Sequence, residues 1–200
     1  MNHLILNRDF RLPDDGWYHI APFGEFPHSG ACVIQVIDQE ACIAMAARFA
    51  ADAKTPNFPG LLVDFDHFSL DGEKRSEAAG WILGLENREN GLWAQIRWSD
   101  LGEEAVKGGR YRFLSPVWAR SDCVDLGADP VSGLDRVRPV RILNAAVTND
   151  PNLKGMVPLS NSGQRAVVDF QALGRGTNIK ENEYMKAVIE KLVNHLGLAA

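Results

Sequence analysis

The sequence is short of cysteine, of long apolar runs and of positive charge, and each shortage argues against a class of protein. Its three cysteines are odd in number and show no CxxC spacing, which argues against a disulfide framework or a cysteine-rich zinc site. The first residues lack the charged, apolar and small-residue succession of a secretory leader, so a reducing, cytoplasmic setting is expected. No apolar run approaches the ~18 to 20 residues that span a bilayer, so no membrane partner is expected.

The charge balance is acidic, with a net charge of −5 and no cluster of lysine and arginine. A surface that follows a phosphate backbone needs a basic stripe, so direct nucleic-acid binding is not expected. The 200 residues are 46% hydrophobic, which suffices for one sizeable core. A shift towards serine, glycine and asparagine predicts a main domain over residues 1–158, a linker over 159–182 and a separate helical region over 183–200.

Short runs of β-branched and aromatic residues between glycine and proline predict a mainly β domain with a few helices, an α+β fold. Asn90-Gly91 lies between alternating apolar residues and predicts a hairpin turn. The predicted strands are 16–22, 61–67, 79–86, 92–98, 110–118 and a run over 137–148 that Pro139 interrupts. The predicted helices are 39–53, with Ile43, Ala46, Ala47 and Ala50 on one face, and 100–109, capped by Ser99 or Asp100.

The tail carries a predicted amphipathic helix over residues 183–198. Its apolar side chains recur at spacings of three and four: Met185, Val188, Ile189, Leu192, Val193 and Leu196. Such a stripe on a tail is more typical of packing onto a partner than of a cofactor site.

Two segments of the sequence together suggest a serine nucleophile with a histidine base. Ser115 lies in RYRFLSPVW, among aromatic and branched apolar residues, where a serine before a proline on its own is typical of a strand end. His67 is the one histidine of five that ends a buried-looking strand, LLVDFDH. A serine hydroxyl becomes a useful nucleophile when a base, usually histidine, lies within hydrogen-bond reach. We therefore predict that Ser115 is a nucleophile and that His67 is its base.

The group that orients the imidazole stays open on this reasoning. The candidates are Asn144, Asp64, Asp66, His19 and His28. An alternative hypothesis gives Asp64, Asp66 and His67, with Asp71 or His28, to a divalent metal that activates water. Alternation along a strand counts against this alternative, because Asp64 and Asp66 would face one side and His67 the other.

Four colinear segments carry a resemblance to a known family. They are GWYHIAPFGEFPH, LLVDFDHFS with AAGWI, NGLWAQIRWSDLGEEAVKGGRYRFLSPVW and NAAVTNDPNLKGMVPL. They resemble the Mu-like prophage I protein family, the protease and scaffold protein of Mu-type phage heads. That family looks like a relative of the prohead proteases, which share the assemblin serine protease fold with the herpesvirus maturation proteases.

The resemblance implies an assemblin-like closed β-barrel ringed by a few helices, with the protease domain over residues 1–158. It also carries over the two residues that the chemistry singled out. His67 is followed by a glycine-containing strand, Ala79-Gly80-Trp81, as in the related pattern, and Ser115 follows Arg112 by three positions. Asn144 takes the third catalytic position, where the relatives have a glutamate or a second histidine.

The implied function is a serine endopeptidase of phage head maturation that uses no metal or cofactor. Its expected substrates are the phage scaffold, the capsid precursor and its own tail. Its expected place is the bacterial host cytoplasm inside the assembling prohead, and homodimerisation is expected from the assemblin relatives. The alternative within the same family is a catalytically inactive assembly module that carries the scaffold helix, with a metal-dependent hydrolase as the third reading.

Overall fold

Short strands dominate the chain, as the computed structural model shows for residues 11–70, 73 and 77–160. The strands over these ranges are β1 (Trp17–Pro22), β2 (Gly24–His28), β3 (Val33–Ile37), β4 (Leu61–Phe65), β5 (Gly80–Arg88), β6 (Gly91–Trp98), β7 (Phe113–Val117), β8 (Cys123–Ala128), β9 (Asp135–Pro139) and β10 (Asn144–Thr148). The helices are α1 (Gln39–Asp52) and α2 (Asp100–Lys107), and single 3-10 turns cover Phe68–Leu70 and Arg120–Asp122.

Six strands form a sheet that curls into a nearly closed barrel. Their order is β1-β6-β5-β4-β10-β7, and the two outer strands, β1 and β7, lie in contact with each other. Irregularities after His19 in β1 and after Ile82 in β5 add the bending that closing a sheet requires. The prediction of a mainly β fold with a barrel-shaped sheet is confirmed, and the helices of the described part are α1 and α2.

The barrel core is built from side chains that alternate with outward-facing residues along each strand. The fully buried members on β10 and on its two neighbouring strands include Val63, Leu114, Ala145 and Val147. Helix α1 contributes Ala41, Cys42, Met45 and Phe49. The predicted buried face of this helix is wrong, since Ile43 is 51% exposed. Burying Met45 and Phe49 removes more apolar area from water than burying Ile43 with three alanines, so this face wins.

The remaining strands form a second sheet in the order β2-β3-β9-β8. The prediction of one interrupted strand over 137–148 is wrong, because β9 ends at Pro139 in the second sheet and β10 begins at Asn144 in the barrel sheet. Proline lacks the N–H that a ladder needs, and the chain leaves the second sheet after it.

Helix α2 delivers the chain from β6 to β7 and is held by its first turn. The hydroxyl of Ser99 accepts the N–H of Gly102 at 3.1 Å and donates to the Ala78 carbonyl at 2.7 Å, so the N-cap is Ser99. A Cβ at Gly102 would lie 1.8 Å from the carbonyl oxygen of Ala79. Only glycine therefore allows α2 to approach the start of β5 so closely. The predicted hairpin turn at Asn90-Gly91 is confirmed between β5 and β6.

Residues 149–160 run from the end of β10 back across the barrel. The N–H of Val157 donates to Nδ1 of His19 at 3.1 Å, and the N–H of Leu159 donates to the Arg112 carbonyl at 2.8 Å. Leu159 and Ser160, the first two residues of the predicted linker, are buried. The rest of that linker and the predicted C-terminal helix lie outside the described residues. In the part of the chain that the structure describes, no helix is long and apolar enough to cross a membrane.

Candidate active site

Ser115 lies in the middle of β7 on the side opposite the barrel core. Its neighbour Leu114 is fully buried, and the β7–β10 ladder is regular, so alternation turns Ser115 to the outer face. Ser115 pairs with Ala146 on β10, and Ala146 pairs in turn with Asp64 on β4. Strands lie about 4.8 Å apart in a sheet, so one strand separates the serine from the strand that leads to His67.

Ala146 is the residue between the two sides of this site. Its side chain is a single methyl group, and it is fully buried although it shares the outer face with Ser115. Other groups therefore cover β10 between Ser115 and Asp64. A larger side chain at this position would occupy the outer face between Ser115 and Asp64.

His67 lies in a tight turn rather than in a strand. The prediction that the strand continues to His67 is wrong, because β4 ends at Phe65 and the next two residues are left-handed, with φ of 51° at Asp66 and 61° at His67. Histidine and aspartate are among the non-glycine residues that tolerate this region. Two such residues in succession cost about 1–3 kcal/mol each unless surrounding contacts hold them. Because His67 does not lie in a strand, alternation does not place its side chain on the face opposite to Asp64 and Asp66.

The ring of His67 is half-buried, and its Nδ1 atom is buried without a hydrogen-bond partner among the described residues. The backbone carbonyl of His67 accepts the N–H of Leu70 at 3.0 Å, which closes the 3-10 turn behind it. A buried imidazole nitrogen without a partner is unusual, because unpaired polar atoms cost free energy inside a protein.

Asp64 is fully buried on β4, three residues before His67. Its Oδ2 atom accepts the backbone N–H of Ser69 at 2.8 Å and also the Ser69 hydroxyl. Its Oδ1 atom is buried and lacks a hydrogen bond within the described residues. A buried carboxylate oxygen of Asp64 and a buried imidazole nitrogen of His67 thus lie three residues apart in the sequence, and neither has a hydrogen-bond partner among the described residues.

Asp66 ties this turn to the strand that carries Ser115. The Tyr111 hydroxyl donates to Oδ2 of Asp66 at 2.7 Å, and the Tyr111 ring lies 5.4 Å from the ring of Phe65. Burial, together with the bond to Asp66, raises the pKa of Tyr111 to about 12. Tyr111 precedes β7 by two residues, so the bond spans β10 and sets the spacing between the turn and the strand that carries Ser115.

Asn144 is the first residue of β10 and pairs with Val117, two residues from Ser115 on the same face of β7. Its Oδ1 atom is buried without a partner in the described part of the chain. The His67 turn lies towards the other end of β10, since the N–H of Asp66 donates to the Val147 carbonyl at 3.0 Å. Three residues along a strand correspond to about 10 Å, so Asn144 and the His67 turn flank Ser115 from opposite ends.

The two other histidines considered as partners lie on strands that carry none of these residues. His19 on β1 is buried, which lowers its pKa, although the Asn90 and Ala21 carbonyls oppose that shift. Its Nδ1 atom accepts the Val157 N–H, so the neutral ring carries its proton on Nε2. His28 on β2 accepts the N–H of Ala31 through Nδ1 at 3.0 Å.

Two aspartates of the metal hypothesis are engaged in hydrogen bonds, and the third, Asp71, lies outside the described residues. Asp64 binds Ser69 and Asp66 binds Tyr111. Among the residues that the structure describes, no group of three or more His, Cys, Asp or Glu side chains could hold a metal ion.

Sequence reasoning missed the roles of Tyr111 and Ser69. Tyr111 lies in RYRFLSPVW, the same segment that contains Ser115. Its partner lies 45 residues away, and the topology that joins them depends on β10, a strand still further along the chain.

Comparison with known proteins gives one family and one curated relative. The model of the Mu-like prophage I protein, N-terminal domain, matches residues 18–160, a range that contains Ser115, His67 and Asn144. The Mu-like prophage FluMu I protein of Haemophilus influenzae is 27% identical over 200 residues, which cover 94% of this chain and 50% of that protein. The chain thus spans about half the length of this relative. No solved structure matches the chain significantly.

Proposed function

The chain belongs to the Mu-like prophage I protein family, and we propose that it is a serine endopeptidase of phage head maturation. The observation that carries the proposal is the outer face of the β4-β10-β7 strands. There Ser115 and the turn that presents His67 lie on either side of one strand, separated by the small residue Ala146. A serine nucleophile and its base must come within hydrogen-bond reach of each other, and only one strand lies between Ser115 and the turn that carries His67.

The reaction is an acyl transfer. The Ser115 hydroxyl attacks a peptide carbonyl while His67 takes its proton through Nε2, and the protonated ring then donates to the leaving amine. Water then attacks the acyl-enzyme while His67 takes a proton from it. The protonated ring returns this proton to the Ser115 oxygen as the bond to the acyl group breaks. A positioned acid–base group of this kind contributes about 10²–10⁴-fold to the rate.

Two residues are candidates for the group that orients the His67 imidazole. The family resemblance gives this position to Asn144. We favour Asp64, a fully buried residue three positions before His67, because one of its carboxylate oxygens has no hydrogen-bond partner among the described residues. A carboxylate holds the Nδ1–H tautomer and stabilises the imidazolium that forms, whereas an amide only orients the ring.

The substrates follow from the family context. The proposed targets are the phage scaffold protein, the capsid precursor and the enzyme's own C-terminal tail, in the host cytoplasm inside the assembling prohead. The chain is further proposed to form a homodimer, as the assemblin relatives do.

The nucleophile is tested by replacing it. Ser115→Ala should abolish cleavage of a scaffold substrate and labelling by a fluorophosphonate, while the thermal unfolding midpoint stays close to that of wild type. Ser121→Ala removes an exposed hydroxyl from the 3-10 turn after β7 and serves as the matched control with full activity. Cleavage by Ser115→Ala at the wild-type rate would refute the nucleophile. A wild-type chain that neither cleaves nor labels would favour the inactive assembly module instead.

The third position is tested by a pair of variants. If Asp64 orients His67, Asp64→Asn should lower kcat by about 10²–10⁴-fold, because the amide favours the wrong tautomer. Asn144→Ala should then leave the pH dependence of kcat unchanged. The opposite pattern, with a large loss only in Asn144→Ala, would restore the family assignment.

A further inference from the structure

A small cavity lies beside the start of β7. It has a volume of about 180 Å³. Its apolar lining comes from Phe113, Pro151, Leu153 and Met156, and the rest of its lining comes from Asn149, Gly155 and the ion pair between Asp150 and Lys154, of 2.6 Å. A larger cavity of about 660 Å³ is lined by residues of β2, β3 and β9 and their neighbours and by none from β4, β7 or β10.

The position of the small cavity relative to Ser115 follows from the strand. Phe113 and Ser115 are two residues apart on a regular ladder, and the residue between them is fully buried in the core. Both side chains therefore face outward, with Cα atoms about 6.7 Å apart. A peptide in extended conformation places its alternate side chains at the same spacing, so the cavity lies within two residues of the bond that Ser115 would attack.

The walls of the cavity are held in place by the backbone around it. Pro151, Leu153 and Met156 are buried, and residues just beyond them are anchored by the bonds from Val157 to His19 and from Leu159 to Arg112. The space is therefore part of a fixed segment over the barrel. The ion pair beside it is exposed, with side chains of Asp150 and Lys154 open to solvent by 93% and 68%, so the polar groups lie towards the rim.

We propose that this cavity is a specificity subsite that binds one apolar side chain of the peptide substrate, of the size of leucine, methionine or phenylalanine. The inference rests on the proposed peptidase function and adds the substrate class. A cavity of about 150 Å³ lined by aliphatic and aromatic groups accepts a benzene molecule, so one side chain of this size fills 180 Å³. Charged side chains would lose their hydration against these walls and are rejected.

The experiment profiles cleavage sites rather than overall activity. The full-length chain is incubated with a proteome-derived peptide library, and the products are read by mass spectrometry. Wild type should show one position within two residues of the cut at which leucine, methionine or phenylalanine exceeds alanine about tenfold or more, since each methylene in such a pocket discriminates at this level. Met156→Ala should widen the preference towards tryptophan, and Met156→Phe should shift it towards alanine and valine.

Met45→Ala is the matched control, because it removes the same atoms from a fully buried position on helix α1. It should lower stability without altering the profile. If Met156→Ala does not fold, the Met156→Phe profile decides alone. Cleavage that depends on Ser115 but shows no apolar preference, or a preference that neither Met156 variant moves, would overturn the subsite and leave the peptidase standing. Cleavage that does not depend on Ser115, or none at all, would overturn both.

Discussion

Replacing Tyr111 by phenylalanine tests whether the bond to Asp66 positions the His67 turn. The change removes one hydroxyl and keeps the ring against Phe65. A hydrogen bond to a charged group contributes about 1.5–3 kcal/mol when buried. Asp66 is exposed, so solvent screening reduces the expected loss in the free energy of unfolding to about 1 kcal/mol, or ~2–4 °C in the unfolding midpoint.

The effect on catalysis should exceed the effect on stability. The bond spans β10 and fixes the turn relative to the strand of Ser115, and a misplacement of about 1 Å can cost up to 10²-fold in rate. We therefore expect kcat for Tyr111→Phe to fall by about tenfold, with KM little changed. Asp66→Asn retains a residue that tolerates the left-handed conformation and should reproduce this loss. The double variant should then lose no more than either single one.

The control and the refuting result come from a second tyrosine. The Tyr18 hydroxyl accepts the Trp98 indole N–H at 2.8 Å in the barrel, so Tyr18→Phe should lower stability and leave kcat unchanged. If Tyr111→Phe also loses stability with kcat unchanged, the bond to Asp66 is structural only, and the positioning role is refuted.

The pH dependence of stability gives an independent check on the same bond. The pKa of Tyr111 is raised from the ordinary value of 10.0 to about 12 by burial and by Asp66. The unfolded chain therefore releases this proton first as the pH rises. The stabilisation is complete below pH 10 and is lost between about pH 10 and 12, so urea titrations of wild type should show a decline there that Tyr111→Phe lacks.

Two further predictions concern residues that support the fold around the site. Burial lowers the pKa of His19, so the unfolded chain binds a proton first as the pH falls, and stability should drop below about pH 6.5. His19→Asn keeps an acceptor for the Val157 N–H and should flatten that drop in denaturant titrations at pH 8 and pH 5, whereas an unchanged drop would assign it elsewhere. Gly102→Ala would place a Cβ 1.8 Å from the Ala79 carbonyl oxygen and should cost about 3 kcal/mol of stability by calorimetry, and a neutral result would contradict the close approach of α2.

Local patterns predicted the elements whose boundaries are set by nearby residues. Ser99 caps α2 through its own first turn, and Asn90-Gly91 closes the hairpin between β5 and β6. The placement of Ser115 within a strand also followed from its immediate neighbours. In each case the residues that make the deciding contacts lie within a few positions of one another, so the local sequence was sufficient for the prediction.

The errors arose where distant residues decide the outcome. Residues 137–148 read as one strand because both halves are β-forming, but their partners lie in different sheets. Apolar residues lie on several sides of α1, and the packing partner, not the helix itself, selects Met45 and Phe49. His67 continued a strand pattern that the left-handed turn ends, and nothing adjacent to it in sequence signals that turn.

The strand order explains why two residues compete for the third catalytic role that we propose. Strand β10 is the last strand of the barrel sheet in sequence, yet it pairs in parallel with β4 and antiparallel with β7. It therefore separates the His67 turn from Ser115 and decides which residues face them. The family resemblance predicts this role for Asn144 on β10, whereas the proposal from the fold gives it to Asp64 on β4, three residues before His67. A role for Asp64 would therefore depend on the methyl group of Ala146, which pairs with both Asp64 and Ser115 and leaves the space between β4 and β7 free of a larger side chain.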